Sequence, residues 1–196
     1  MDTGIIILAA GNSSRMGQPK QLLSYQGKTL LDIVIEQALQ TAYRPIVVVL
    51  GAYATEILAQ HRHADINYAT NEHWQTGMSS SITTGLLALL MQRPTLENVI
   101  IAVADQVFIT SEIFNQLFDQ HQLTGKNIVA SSYAQTMGTP VLFHKNHFQE
   151  ILSLDGNEGA KSILKKYKED TAGIEFELGR IDIDTETDYH HLIQRK

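Results

Sequence analysis

Three short stretches constrain this chain more than anything else in it. Gly4-Ile5-Ile6-Ile7-Leu8-Ala9, Ile46-Val47-Val48-Val49-Leu50 and Val99-Ile100-Ile101-Ala102-Val103 are apolar without a break. A strand with one face in water alternates apolar and polar residues, whereas a strand covered on both faces has no need to. These runs therefore predict central strands of a mostly parallel sheet with helices on both sides. Asn127-Ile128-Val129-Ala130 and Pro140-Val141-Leu142-Phe143 are further strand candidates.

Helical patterns fill the intervals. Leu30, Leu31, Val34, Ile35, Ala38 and Leu39 recur at helical spacing, with Thr29 placed as an N-cap. A second helix is expected from Ser79 to Gln92 and a third around Ile113, Phe114, Leu117 and Phe118. Ile151 with Leu152, and Ile163 with Leu164, mark two more near the end. Alternating strands and helices imply right-handed crossovers and an α/β fold, a three-layer αβα, Rossmann-like architecture. No repeat, low-complexity tract or linker divides the 196 residues, so residues 1–196 read as one domain. In such sheets ligands bind beyond the carboxyl ends of the strands.

Composition narrows the chemistry. There are no cysteines, which excludes disulfides, a thiolate zinc site, a cysteine nucleophile and an iron–sulfur cluster. The net charge of -6 argues against a broad basic face for nucleic acid. Ile5 to Ala10 is too short for a signal peptide core, and no apolar run nears the roughly 20 residues that span a bilayer. The expectation is a cytoplasmic protein with neither a membrane nor a nucleic-acid partner.

The loop after the first run is Leu8-Ala9-Ala10-Gly11-Asn12-Ser13-Ser14-Arg15-Met16-Gly17-Gln18-Pro19-Lys20. Small residues expose backbone N–H groups, and Arg15 and Lys20 add positive charge, a combination suited to an anion. Up to residue 31, Arg15, Lys20 and Lys28 face a single acid, Asp2. The loop is neither a Walker A motif, whose Lys directly follows its second glycine, nor a G-x-G-x-x-G fingerprint.

Acids stand where strands should end. Asp105 follows the run Val99 to Val103 almost at once, which puts a carboxylate on the ligand edge of the sheet. Hard Mg²⁺ takes such oxygen ligands, usually one or two carboxylates plus substrate phosphates. The alternative role for Asp105 is a helix cap, for which Ser111 is better placed. In Arg180-Ile181-Asp182-Ile183-Asp184-Thr185, the alternation puts both acids on one face. That face suits a cation or a solvent-facing edge strand, with Asp184 or Thr185 capping the last helix. Gly77-Met78-Ser79-Ser80-Ser81 opens a helix with hydroxyls and free N–H groups. It lacks the final glycine of a nucleophile elbow. Trp74 is expected to pack. The eight histidines show no H-E-x-x-H spacing and read as surface residues.

Taken together, these segments resemble the MobA-like nucleotidyltransferase family, most of all its molybdenum cofactor cytidylyltransferase branch. The pattern L-A-A-G-x-S-x-R-M-G-x-x-K runs from Leu8 to Lys20. Asn71 with Trp74, Gly77 to Ser81, Asp105-Gln106, Gly138-Thr139-Pro140-Val141, Gly156 to Ala160 and Asp182 to Thr185 follow in order. The resemblance implies a fold of the nucleotide-diphospho-sugar transferase type. It implies that Leu8, Ala9, Ala10, Gly11, Ser13, Arg15 and Lys20, with Asn71, Gly77, Ser79 and Ser80, hold a nucleotide. Arg15 and Lys20 would act on its phosphates, and Asp105 with Asp182 or Asp184 would hold Mg²⁺. The implied substrates are CTP and molybdenum-molybdopterin, and a molybdoenzyme or a maturation chaperone would be a partner. The GTP-using branch reads A-G-G where this chain reads Ala9-Ala10-Gly11. Other acceptors, such as a sugar phosphate or methylerythritol phosphate, and a carrier that binds nucleotide without turnover, stay open. Val107 and Asn157 depart from the family pattern, which has Pro and Asp there, and are expected to alter the acceptor pocket.

Overall fold

The continuous apolar runs become the middle of a seven-stranded sheet. The computed structural model describes residues 2–156 and 158–195, so Asn157 lies outside the described residues. In chain order the first elements are β1 (Thr3–Ala9), β2 (Ser24–Tyr25), β3 (Lys28–Thr29), α1 (Leu30–Leu39), β4 (Ile46–Leu50) and α2 (Ala54–Gln60). Then come β5 (Asn67–Thr70), α3 (Met78–Gln92), β6 (Asn98–Val103), α4 (Ser111–Thr124), β7 (Ile128–Tyr133) and β8 (Thr136–His144). The chain finishes with α5 (Phe148–Leu152), α6 (Ala160–Lys166), β9 (Thr171–Glu175) and α7 (Glu186–Gln194).

The strand order is β5-β4-β1-β6-β8-β7-β9, with β2 and β3 forming a separate hairpin. β1 pairs in parallel with β4 and β6, setting Ile5 beside both Ile46 and Ile100. β8 runs antiparallel to β6 and β7, and β9 restores the parallel direction against β7. The sheet is thus mostly parallel with helices on both faces, as the runs required. Ile5 and Ile7 pack with Leu31, Val34 and Ile35 of α1 and Phe114 and Leu117 of α4. Ile6 and Leu8 face the other way, onto Ile82, Leu86 and Leu89 of α3 and Ile163 and Leu164 of α6. Burying each of these side chains contributes about 1.5–3 kcal/mol.

A third, smaller apolar cluster lies under the first loop. Met16, Leu23, Leu30, Val107, Ile183 and Leu192 are all buried in it. It ties the first loop, the segment after β6 and the C-terminal stretch to one another. Val107 therefore sits in core packing and faces no acceptor cavity, contrary to the expectation for that position.

Several local expectations are corrected. Residues 181–184 form no strand and pair with none of the seven strands of the sheet. The alternation survives all the same: Ile183 is fully buried and Asp182 is exposed. Thr185 caps α7 in a reciprocal capping box with Asp188. α4 is preceded by Thr110, and the amide of Ser111 donates to Gln37 Oε1 at 2.9 Å, so a side chain from α1 does the capping. Thr29 does cap α1, accepting from Asp32 N at 3.1 Å. The histidines are not all superficial. His147 is buried against Asp170 at 2.9 Å, and His61 and His63 both reach Asp32 at 3.0 Å.

Candidate active site

β1 and β6 end side by side, and their carboxyl ends open into a two-lobed cleft. The first lobe, about 610 Å³, lies between the first loop and the start of α3. Leu8, Ala9, Ala10, Gly11, Arg15, Lys20, Gly77 and Asp105 line it, as do Asn12, Gln21, Trp74, Met78 and Ser81. The second, about 520 Å³, is bounded by Tyr133, Gly138, Thr139, Lys161, Asp182 and Asp184. Arg15, Lys20, Met78 and Asp105 border both lobes, so they form the waist between them.

The first loop is held from beneath and left open above. Ser13 adopts a positive φ of 46°, and its carbonyl accepts from Met16 N at 2.8 Å and Gly17 N at 3.1 Å. Ser13 Oγ accepts from Lys20 N at 3.1 Å, which turns the chain so that the Lys20 side chain enters the waist. Gln21, 2% exposed, donates through Nε2 to Ala9 O at 2.9 Å and Gly11 O at 3.1 Å. Tyr53 Oη donates to Asn12 O at 3.0 Å. The N–H groups of Gly11, Asn12 and Ser13 have no acceptor among the described residues, so the loop presents donors to the cleft. Gly51 lets β4 end against this loop, since a Cβ there would lie 2.5 Å from Ala10 O.

Charge converges at the waist. Lys20 Nζ lies 2.5 Å from Asp105 Oδ2 and 2.7 Å from Asp184 Oδ1. Arg15 Nη2 lies 2.7 Å from Asp184 Oδ2. Burial works to lower the Lys20 pKa, but Asp105 and then Asp184 outweigh it and hold the ammonium above its ordinary value. Burial works to raise Asp184, and Lys20 and Arg15 outweigh it, so this carboxylate is held down. Asp182 makes no ion pair within 4.0 Å among the described residues, and Lys20 and Lys161 act on it only from further off. It opens to the cleft, yet desolvation by the surrounding protein, and then Asp105 and Asp184, push its pKa up to about 6.

These oxygens suit a hard divalent cation. Asp105 and Asp184 both reach a single point, now taken by the Lys20 ammonium, and Asp182 lines the same cleft. Among the described residues no group of three or more His, Asp or Glu side chains is arranged to hold a metal by itself, so any ion here would rest on Asp105 and Asp184 with ligands from elsewhere. An open set of carboxylates, completed by substrate phosphate oxygens, is the usual Mg²⁺ arrangement.

The α3 start is built differently from expectation. Gly77 precedes α3 at φ 119°, a conformation that L side chains rarely adopt, and it does line the cleft. Asn71 is buried and spends its amide on Ser80 Oγ at 2.8 Å and Ser81 Oγ at 2.9 Å. Ser79 donates to Gly156 O, and Ser80 to His73 O and Gly77 O. Asn71, Ser79 and Ser80 thus brace the cleft wall, and Ser81 is the serine that reaches its surface. Trp74 packs on the core behind α3 and also lines the first lobe. Gln21 was not anticipated; its one signal in the sequence is a polar residue between the loop and the apolar pair Leu22-Leu23.

Comparison with known proteins gives this geometry a family. The model of the MobA-like NTP transferase domain matches residues 5–171, which includes the first loop and Asp105 but not Asp182 or Asp184. Molybdenum cofactor cytidylyltransferase of Escherichia coli (strain K12) is 27% identical over 187 residues, 94% of this chain and 92% of that protein. Nicotine blue oxidoreductase of Paenarthrobacter nicotinovorans is 27% identical over 171 residues, 82% of this chain and 80% of that protein. Rv0371c from Mycobacterium tuberculosis H37Rv superposes with a TM-score of 0.86 at 24% identity, covering 98% of each chain. Its complex with manganese superposes at 0.84 and 22% identity, covering 100% of each chain.

Proposed function

The chain belongs to the MobA-like NTP transferase family, and from that footing we propose that it transfers CMP from CTP to the terminal phosphate of molybdenum-molybdopterin, releasing pyrophosphate. Residues 1–196 act as one transferase domain in this reading. The observation that carries it is the waist, where Arg15, Lys20, Asp105 and Asp184 meet between two lobes at the strand ends. The first lobe takes the nucleotide and the second takes the acceptor. The cytidylyltransferase relative supports this choice of substrates.

The residues present explain how such a transfer proceeds without a strong base. A phosphomonoester has a second pKa of about 6, so the attacking oxygen is already ionised at pH 7. It attacks the α-phosphorus in line, the bond to the β-phosphate oxygen breaks, and pyrophosphate leaves. Lys20 and Arg15 exchange their carboxylate partners for phosphate oxygens and stabilise the charge on the α-phosphate and the leaving group. The N–H groups of Gly11, Asn12 and Ser13 hold the triphosphate, and Ala10 sits under the base. Asp105, with Asp184 or Asp182, would hold Mg²⁺, which when bound neutralises phosphate charge. Most of the rate enhancement then comes from positioning two anions that would otherwise repel.

The test is pyrophosphate release on incubating the protein with each NTP, Mg²⁺ and molybdenum-loaded molybdopterin. Release with CTP and this acceptor is expected. No release with any NTP would sink the transferase reading, and release with GTP alone would sink the cytidylyl assignment. Release with a sugar phosphate or methylerythritol phosphate in its place would reassign the acceptor. Asp105→Asn should abolish most turnover while the melting profile stays cooperative. A molybdoenzyme or its maturation chaperone is the proposed recipient of the product.

A further inference from the structure

α6 carries a basic surface that the proposed chemistry does not use. Lys161 lines the acceptor lobe from its first turn. On the other side of Lys161, a separate cavity of about 520 Å³ opens between α6 and the β7–β8 hairpin. Thr136, Met137, Leu164, Lys165 and Lys168 are among its walls. Lys161 borders both hollows, so they adjoin at its side chain.

The charged residues that line this cavity are all lysines, in a chain whose net charge is -6, and Lys161 alone also faces an acid, Asp182, across the acceptor lobe. From Lys161 to Lys168 there are four lysines and no acid. Lys166 turns away to Glu150 at 3.4 Å. Lys161, Lys165 and Lys168 have no acidic partner within 4.0 Å among the described residues. Lys161 and Lys165 are four residues apart on one helix face, roughly 6 Å along its axis. Leu164 and Met137 form an apolar floor beside them. Clustered like charges around one hollow repel, and a bound multivalent anion relieves that repulsion.

We infer that this cavity extends the acceptor site and receives the far end of a two-ended acceptor. Such an acceptor carries its reacting phosphate at the waist and a second anionic group one to two helical turns beyond Lys161. A second phosphate, a carboxylate or a bound oxoanion shares the required chemistry. The hollow is concave and adjoins the acceptor lobe, which fits a small molecule that threads past Lys161. The identity of the first end rests on the transferase reading, whereas the cavity itself is tested by binding alone.

The probes are 1,5-pentanediol bisphosphate and pentyl phosphate, titrated calorimetrically into the full chain at fixed ionic strength. The bisphosphate should bind about 10-fold tighter, the gain expected from one charge-assisted contact. Lys165→Ala/Lys168→Ala should cut that advantage below about 3-fold and leave CTP affinity unchanged. Arg62→Ala/Arg93→Ala removes two charges that line neither hollow and should preserve the advantage. Equal affinity for the two probes, no measurable binding of either, or the same loss in both double variants would overturn the inference. If every NTP fails to release pyrophosphate while the Lys165/Lys168-dependent preference stands, the transferase reading falls and the cavity assignment survives. Turnover without the preference has the reverse meaning.

Discussion

Replacing Lys20 by methionine isolates what its ammonium does between two carboxylates. Methionine keeps the stem length and the packing while removing the charge. The Lys20 side chain is 15% exposed and Asp105 18%, so their pair is largely shielded from water. Removing one partner of a fully buried pair costs about 3–5 kcal/mol. Here the waist opens into the cleft and Asp184 is 37% exposed, so screening reduces the expected cost to about 2 kcal/mol. In a chain of this size, 1 kcal/mol moves Tm by about 2–4 °C, so a fall of about 4–8 °C is expected. The stranded carboxylates of the variant should then bind Mg²⁺ more tightly than those of the native protein. At ten times its Kd the ion returns about 1.4 kcal/mol, so most of the deficit should disappear. Thermal melts of both proteins at pH 7.5, with and without Mg²⁺, measure this directly. An unchanged Tm, or a deficit that Mg²⁺ leaves intact, would refute the idea that Lys20 occupies the cation position. Turnover should fall by about 10²-fold or more whether or not Mg²⁺ restores stability.

Three further outcomes follow from the geometry. Gln21→Leu removes the donor to Ala9 O and Gly11 O; denaturant titration should show a loss of about 2 kcal/mol, and CTP titration a weaker Kd, while unchanged values would mean that the loop holds its shape unaided. Ala10→Gly removes a methyl from the nucleotide lobe and should raise the GTP-to-CTP ratio of kcat/KM by about 10-fold; an unchanged ratio would assign base choice elsewhere. Asp32 is held below its ordinary pKa because burial, which works to raise it, is outweighed by His63, Thr29 and His61. Its stabilisation is therefore complete above the unfolded value of 3.8 and is lost as pH falls through the folded value. Asp32→Ala should cost about 1–2 kcal/mol at pH 5, and the gap to the native protein should close below pH 4; a gap that persists there would contradict the linkage.

How much could be read from residues alone depended on what each residue answers to. The three unbroken apolar runs answer to burial on both faces, and all three became central strands. Asp105 was legible because its position follows from where β6 stops. β5 and β9 were missed, since edge strands such as Asn67–Thr70 and Thr171–Glu175 are half-exposed, short and polar enough to look like loop. Residues 181–184 carried a valid alternation without a partner strand, and sheet pairing is a tertiary fact that period two does not contain. Asn71, Ser79 and Ser80 have the right chemistry for ligand contact, but their side-chain donors are engaged by neighbouring backbone and hydroxyls, an arrangement that spacing does not reveal. Gln21 and the pairing of His61 and His63 with Asp32 depend on three-dimensional neighbours 10 to 31 residues away, which spacing does not reveal.

The apolar cluster of Met16, Leu23, Leu30, Val107, Ile183 and Leu192 also sets an order of events during synthesis. β1, β4 and β6 can pair once residue 103 has been made, long before Asp184 exists. Until Ile183 and Leu192 arrive, that cluster is incomplete and Arg15 lacks its acidic partner. A nascent chain therefore holds an open, positively charged loop on a formed sheet until a stretch translated some 80 residues after β6 both seals the hydrophobic underside and balances the charge. Contacts spanning more than 160 residues make this a late and slow closure.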